Sequence, residues 1–138
     1  LARSRSQSDP EVVQAFAIEL ARSLQDDKCS EVLLLDVRGL SQVCDYVLIG
    51  SGTSQRQMKS AAQTLEDLGK GQNNPPFRSS ADSGTTWLVV DFVDVVAHIF
   101  EPEHRLYYDI ESLWGTSRRV GWERADQEGR ATPGHAAE

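Results

Sequence analysis

Trp87-Leu88-Val89-Val90-Asp91-Phe92-Val93-Asp94-Val95-Val96-Ala97-His98-Ile99-Phe100 is the stretch whose reading decides the fold. It holds the densest run of β-branched and aromatic residues in the chain, and its two aspartates interrupt it as a turn would, which predicts two strands folded back on each other. With Phe92 and Val93 at the tip, Asp91 faces Asp94, Val89 faces Val96 and Trp87 faces His98. Side chains alternate along a strand, so Leu88, Val90, Val95, Ala97 and Ile99 share one aliphatic side. The other side gathers Trp87, Val89, Asp91, Asp94, Val96, His98 and Phe100. The first is expected to face the core. The second, with aromatics, an imidazole and carboxylates, has the makeup of a contact surface.

Working outward, Asp9 or Ser8 caps a helix with Pro10 in its first turn. Val13, Phe16, Ala17, Leu20, Ala21 and Leu24 then keep helical spacing through about residue 25. Val32 to Val37 is a continuous apolar run, as in a strand covered on both faces. The connector over residues 41–45 is too short for a helical crossover, and Tyr46 to Ile49 is a second strand. Gly50-Ser51-Gly52-Thr53 turns into a helix capped by Ser54, which buries Met58, Ala61, Ala62, Leu65 and Leu68 and stops at Gly69. A brief strand is expected near Phe77 to Ser79. After the hairpin, Glu101 to Glu103 opens a helix that continues through Trp114. The expected fold is α/β, a single domain with a mixed sheet of about five strands flanked by helices. Its domain spans residues 9–115, with 1–8 and 116–138 as disordered ends.

The net charge of −7 is uneven: residues 9–114 hold 17 acidic against 8 basic side chains. Such an acidic body predicts little direct nucleic-acid contact and a basic protein partner. No run is long enough to span a membrane, and Cys29 and Cys44 are too few for a disulfide framework. For chemistry, Gly50 to Ser54 stands where backbone N–H groups could hold an anion, but neither a dinucleotide fingerprint nor a P-loop is complete. The glycines serve equally as a tight turn. Asp91 and Asp94 share a face only as turn residues, and no Asp-x-Asp pair is placed on a strand for magnesium. His98, Glu101 and His104 stand at three-residue intervals, with a proline between them and no fourth zinc ligand. No cofactor, metal or catalytic residue is expected.

Three ordered motifs carry a resemblance over about residues 9–115. Asp45-Tyr46-Val47-Leu48-Ile49-Gly50-Ser51-Gly52-Thr53-Ser54-Gln55-Arg56-Gln57, the hairpin from Trp87 to Phe100, and Glu103-His104-Arg105-Leu106-Tyr107-Tyr108-Asp109-Ile110-Glu111-Ser112-Leu113-Trp114 resemble the signatures of the ribosomal silencing factor family, also called Iojap. The resemblance implies a nucleotidyltransferase-like fold without the catalytic carboxylates. It also implies a cytoplasmic factor (organellar in eukaryotic relatives) that binds the large ribosomal subunit at ribosomal protein L-fourteen. There it would block joining of the small subunit and repress translation under nutrient limitation. A nucleotide-binding or nucleotidyltransferase-like enzyme using the Gly50–Ser54 turn is the alternative, and a homodimer stays open. Two departures stand out: the family usually has Gly where Val93 stands, and its Arg-x-Glu-Gly before the hairpin is missing at Arg78 to Gly84. The expected partner-binding residues are Trp87, His98 and Phe100, with Arg105 and Tyr108 from the following helix and Asp91 and Asp94 at the rim.

Overall fold

The computed structural model describes residues 3–4 and 9–125. Helix α1 (Pro10–Asp26) is capped by Asp9, whose side chain accepts from the Glu11 N–H, and Pro10 stands where no intrahelical donor is needed. Strands β1 (Ser30–Asp36) and β2 (Tyr46–Ser51) follow and pair antiparallel across the short connector. Helix α2 (Gln55–Gly71) starts on Ser54, whose hydroxyl takes the Gln57 N–H at 3.1 Å. It runs two residues past the expected stop at Gly69. That glycine is a packing residue, because an added Cβ would come within 2.4 Å of the Asn74 carbonyl and 2.5 Å of the Phe92 ring.

β3 (Arg78–Ala81), β4 (Trp87–Asp91) and β5 (Val95–Phe100) complete a meander whose last strand returns to pair in parallel with β2. Helix α3 (Pro102–Tyr108) is followed by a 3-10 helix (Ile110–Trp114). The expected single helix breaks because Asp109 adopts a left-handed conformation at φ 46°. Among the described residues the sheet has six strands, in the order β3-β4-β5-β2-β1-β6.

The sixth strand corrects the domain boundary. β6 (Arg118–Arg119) pairs antiparallel with the edge of β1. Behind it, Val120 and Trp122 are buried in the main core, and the Trp122 indole donates to the Val32 carbonyl. Arg22 and Asp26 of α1 hold the same segment through the Trp122 carbonyl and Arg124. Folded structure therefore reaches past Gly115 to residue 125, while the rest of the expected tail, 126–138, lies outside the described residues. Of the expected disordered start, Arg3 is held in the structure by four hydrogen bonds.

The hairpin register is also corrected. Trp87 pairs with Phe100, Val89 with His98 and Asp91 with Val96, two residues away from the expected pairing. Two is an even number, so every strand residue keeps its face. The tip moves to Val93 and Asp94. The Asp94 N–H bonds to the Phe92 carbonyl at 2.9 Å, a three-residue γ-turn, with Val93 at φ 74°. A β-branched residue is strained there, and glycine would not be.

The sheet has two differently covered faces. Against α1 and α2 it turns Leu34, Tyr46, Leu48, Leu88, Val90, Val95, Ala97 and Ile99, all buried. On the opposite face Leu35, Val37, Val47, Ile49 and Phe100 form a second cluster, packed by Trp87, Val96, Ile110 and Trp114. Neither cysteine forms a disulfide, and burial pushes the Cys29 thiol up.

Candidate functional site

The second face is where the expected contact residues gather. Alternation along β4 and β5 puts Trp87, His98 and Phe100 there, and α3 folds back so that Tyr108 joins them. The Trp87 ring lies 5.0 Å from Phe100, 4.8 Å from Tyr108 and 6.0 Å from His98 between centroids. Tyr107 continues the cluster outward, edge-on to Tyr108 at 5.2 Å. These separations are typical of attractive aromatic pairs.

Within this cluster the residues have different parts to play. Phe100 is fully buried and forms the floor. The indole N–H of Trp87 donates to Nδ1 of His98 at 3.1 Å, which fixes the ring's tilt and puts the proton of the neutral imidazole on Nε2. Burial drives the His98 pKa down to about 4, so the acceptor is intact at neutral pH.

Arg105 is buried and works beneath the surface. Its Nε donates to Glu111 at 2.8 Å, and Nη1 donates to the Glu31 carbonyl at 2.7 Å and to Ser51 Oγ at 2.8 Å. The Glu31 carbonyl is available because β1 bulges there, with Glu31 at φ 51°. One guanidinium thus ties α3, the 3-10 helix and the sheet together. The rim aspartates separate: Asp91 stays on the aromatic side under Arg3, while Asp94 is buried on the other side, lining a cavity with Val12, Val13, Phe16, Asn73 and Asn74.

The sequence reading missed the outermost part of the face. Because Arg105 points inward, Leu106 and Tyr107 point out and are 82% and 81% exposed, and Leu113 on the 3-10 helix is 72% exposed. These exposed apolar side chains form a ridge along a segment that also carries Glu103, Asp109 and Glu111, and Tyr107 joins it to Tyr108. Only an inward-facing Arg105 could have revealed it, since the next two positions of so short a helix then turn to solvent.

The Gly50–Ser54 turn does other work. The Gly52 N–H bonds to the Phe100 carbonyl, the Thr53 N–H to Gln57 Oε1, and the Gln57 N–H to Ser54. A Cβ at Gly52 would meet Met58 at 2.1 Å. Three of the N–H donors at this junction, those of Gly52, Thr53 and Gln57, are thus already engaged, and the glycine serves packing. Among the described residues, no three His, Cys, Asp or Glu side chains converge on a metal site, and no helix is long and apolar enough to cross a membrane.

A family model described as "Ribosomal silencing factor during starvation" matches residues 10–138. The chain belongs to the ribosomal silencing factor family. Within the family, RsfS of Bacillus subtilis is 35% identical over 103 residues, covering 74% of this chain and 87% of its own. The RsfS of Zymomonas mobilis is 31% identical over 113 residues, covering 82% and 83%. A crystal structure of a Chromobacterium violaceum protein superposes with a TM-score of 0.70 at 27% identity, covering 90% of this chain and all of that one. Family membership bears out the resemblance drawn from the three motifs, and the six-stranded mixed sheet with its flanking helices is the family fold.

Proposed function

We propose that this protein is a non-enzymatic, cytoplasmic silencing factor that docks its aromatic face on the large ribosomal subunit, at ribosomal protein L-fourteen. From there it blocks joining of the small subunit and lowers translation when nutrients are scarce. The observation that carries the reading is the exposure of Leu106, Tyr107 and Leu113 on the segment that covers this face, with Tyr107 extending the Trp87–Tyr108 cluster outward. A fold of this size has little reason to leave three large apolar side chains more than two-thirds exposed on the eight residues 106–113 unless something covers them. Acidic residues around an aromatic centre suit a basic partner, for which charge steers the encounter and the aromatics supply the affinity. The engaged donors of the Gly50–Ser54 turn weigh against nucleotide chemistry there.

Pelleting with isolated large subunits tests this. Tyr107→Ala is expected to keep the wild-type circular dichroism and lose about 2 kcal/mol of binding, or roughly thirtyfold. Trp87→Glu is expected to abolish pelleting. Normal pelleting by a folded Tyr107→Ala/Leu113→Ala variant would move the docking surface elsewhere.

A further inference from the structure

At the tip end of the aromatic face, Arg3 fills a notch built from two separate pieces of chain, the hairpin tip and the connector before β2. Its Nε donates to Asp91 Oδ2 at 2.8 Å and its Nη2 to Asp91 Oδ1 at 3.1 Å, a two-pronged match to the carboxylate. Nη1 donates to the Val43 carbonyl at 2.8 Å, and Nη2 also to the Val93 carbonyl at 3.2 Å. We propose that this notch of Asp91, Val43 and Val93 is a guanidinium-binding site, held in cis by Arg3 and open in trans to an arginine of the docking partner.

The geometry is specific for the group. All four bonds come from the guanidinium, so any arginine that reaches the notch can make them. A lysine ammonium cannot match the fork of the carboxylate and both carbonyls at once. The receptor is built independently of Arg3. Asp91 is fixed by the Val93 N–H at 2.7 Å, and the left-handed Val93 belongs to the turn that also presents its carbonyl. Burial alone would raise the Asp91 carboxyl, but the bonds from Arg3 and Val93 outweigh it and hold the group below its ordinary range.

Position links the notch to docking. Trp87 and Asp91 share one face of β4, four residues and so about 13 Å apart. The trans half of the proposal rests on the silencing reading. The notch itself does not. An arginine-bearing loop bound to the aromatic face would compete with Arg3, which, tethered nearby, acts as a millimolar competitor.

The experiment titrates acetyl-alanyl-arginyl-serine amide into full-length protein while following the Val93 amide by NMR. Arg3→Ala should show a saturable shift. The wild type should need about tenfold more peptide. The lysyl counterpart of the peptide, and an Arg3→Ala/Asp91→Asn variant, should show no shift. Absence of a saturable shift in Arg3→Ala, or equal binding by the double variant, overturns the notch. In large-subunit pelleting, Arg3→Ala should bind about tenfold more tightly than wild type. Unchanged affinity overturns the trans half and leaves silencing standing. Failure of both proteins to pellet, with peptide binding intact, sinks the silencing reading and the trans half together.

Discussion

Against α1 and α2, the sheet presents aliphatic side chains that are buried almost without remainder, closed at the β1 edge by Val120 and Trp122. Across the sheet, the cover is a seven-residue helix and one 3-10 helix, held down by the buried Arg105, with Leu106, Tyr107 and Leu113 left in solvent. The difference teaches where stability and recognition are kept. One face gains free energy by being finished, and the other keeps apolar area for a partner. Substitutions on the two faces should therefore separate into folding effects and binding effects.

The largest folding effect is expected from Trp122→Ala on the closed face. It removes a buried ring and the bond to the Val32 carbonyl, and should cost about 3–5 kcal/mol in urea denaturation. A cost under 1 kcal/mol would mean that the closed face ends at β1.

Next comes His98, on the open face but inside it. Unfolded, it takes up a proton near its ordinary 6.5; folded, it does so only near 4. Between those values the unfolded chain binds more protons, so stability falls as pH drops from 6.5 to 4, by up to about 3 kcal/mol. His98→Gln does not titrate there and should flatten that part of the stability profile. Asp36, which Arg38 holds down to about 2, adds its loss only below that window.

Val93→Gly should stabilise by about 1 kcal/mol, relieving the left-handed valine at some cost in chain entropy. Thermal melts would register it, and a lower melting temperature would show that the valine side chain is needed at the tip. The smallest effect belongs to the ridge. Leu106→Ala should change stability by less than about 0.5 kcal/mol, and a larger change in urea would show that the ridge is part of the folded cover.

What could be read from the sequence follows the same division. The closed face was legible because its periods are regular: every three to four residues in α1 and α2, every second residue in β4 and β5. The hairpin register was not, because a slip of two preserves that alternation and leaves no trace in the pattern. β6 was invisible for a related reason. Two residues carry no period, and Val120 and Trp122 stand alone among polar neighbours, as they would in an unfolded tail. The aromatic cluster could be assembled from strand parity, yet Arg105 reads as a surface arginine until the bulge at Glu31 supplies its acceptor. Asp94 was assigned by strand parity to a position that turned out to be the turn itself, where parity no longer holds.

The parallel pairing of β2 with β5 has a kinetic consequence. Ser51 and Val95 are separated by α2 and two further strands, so the central ladder closes only after more than forty intervening residues are brought together. High contact order of this kind slows folding. The closed face is delayed further, because the side of β1 that Trp122 covers must wait for the far end of the described chain. A polypeptide emerging from a ribosome would thus hold its aliphatic strands without their final cover until nearly all of this domain had been made.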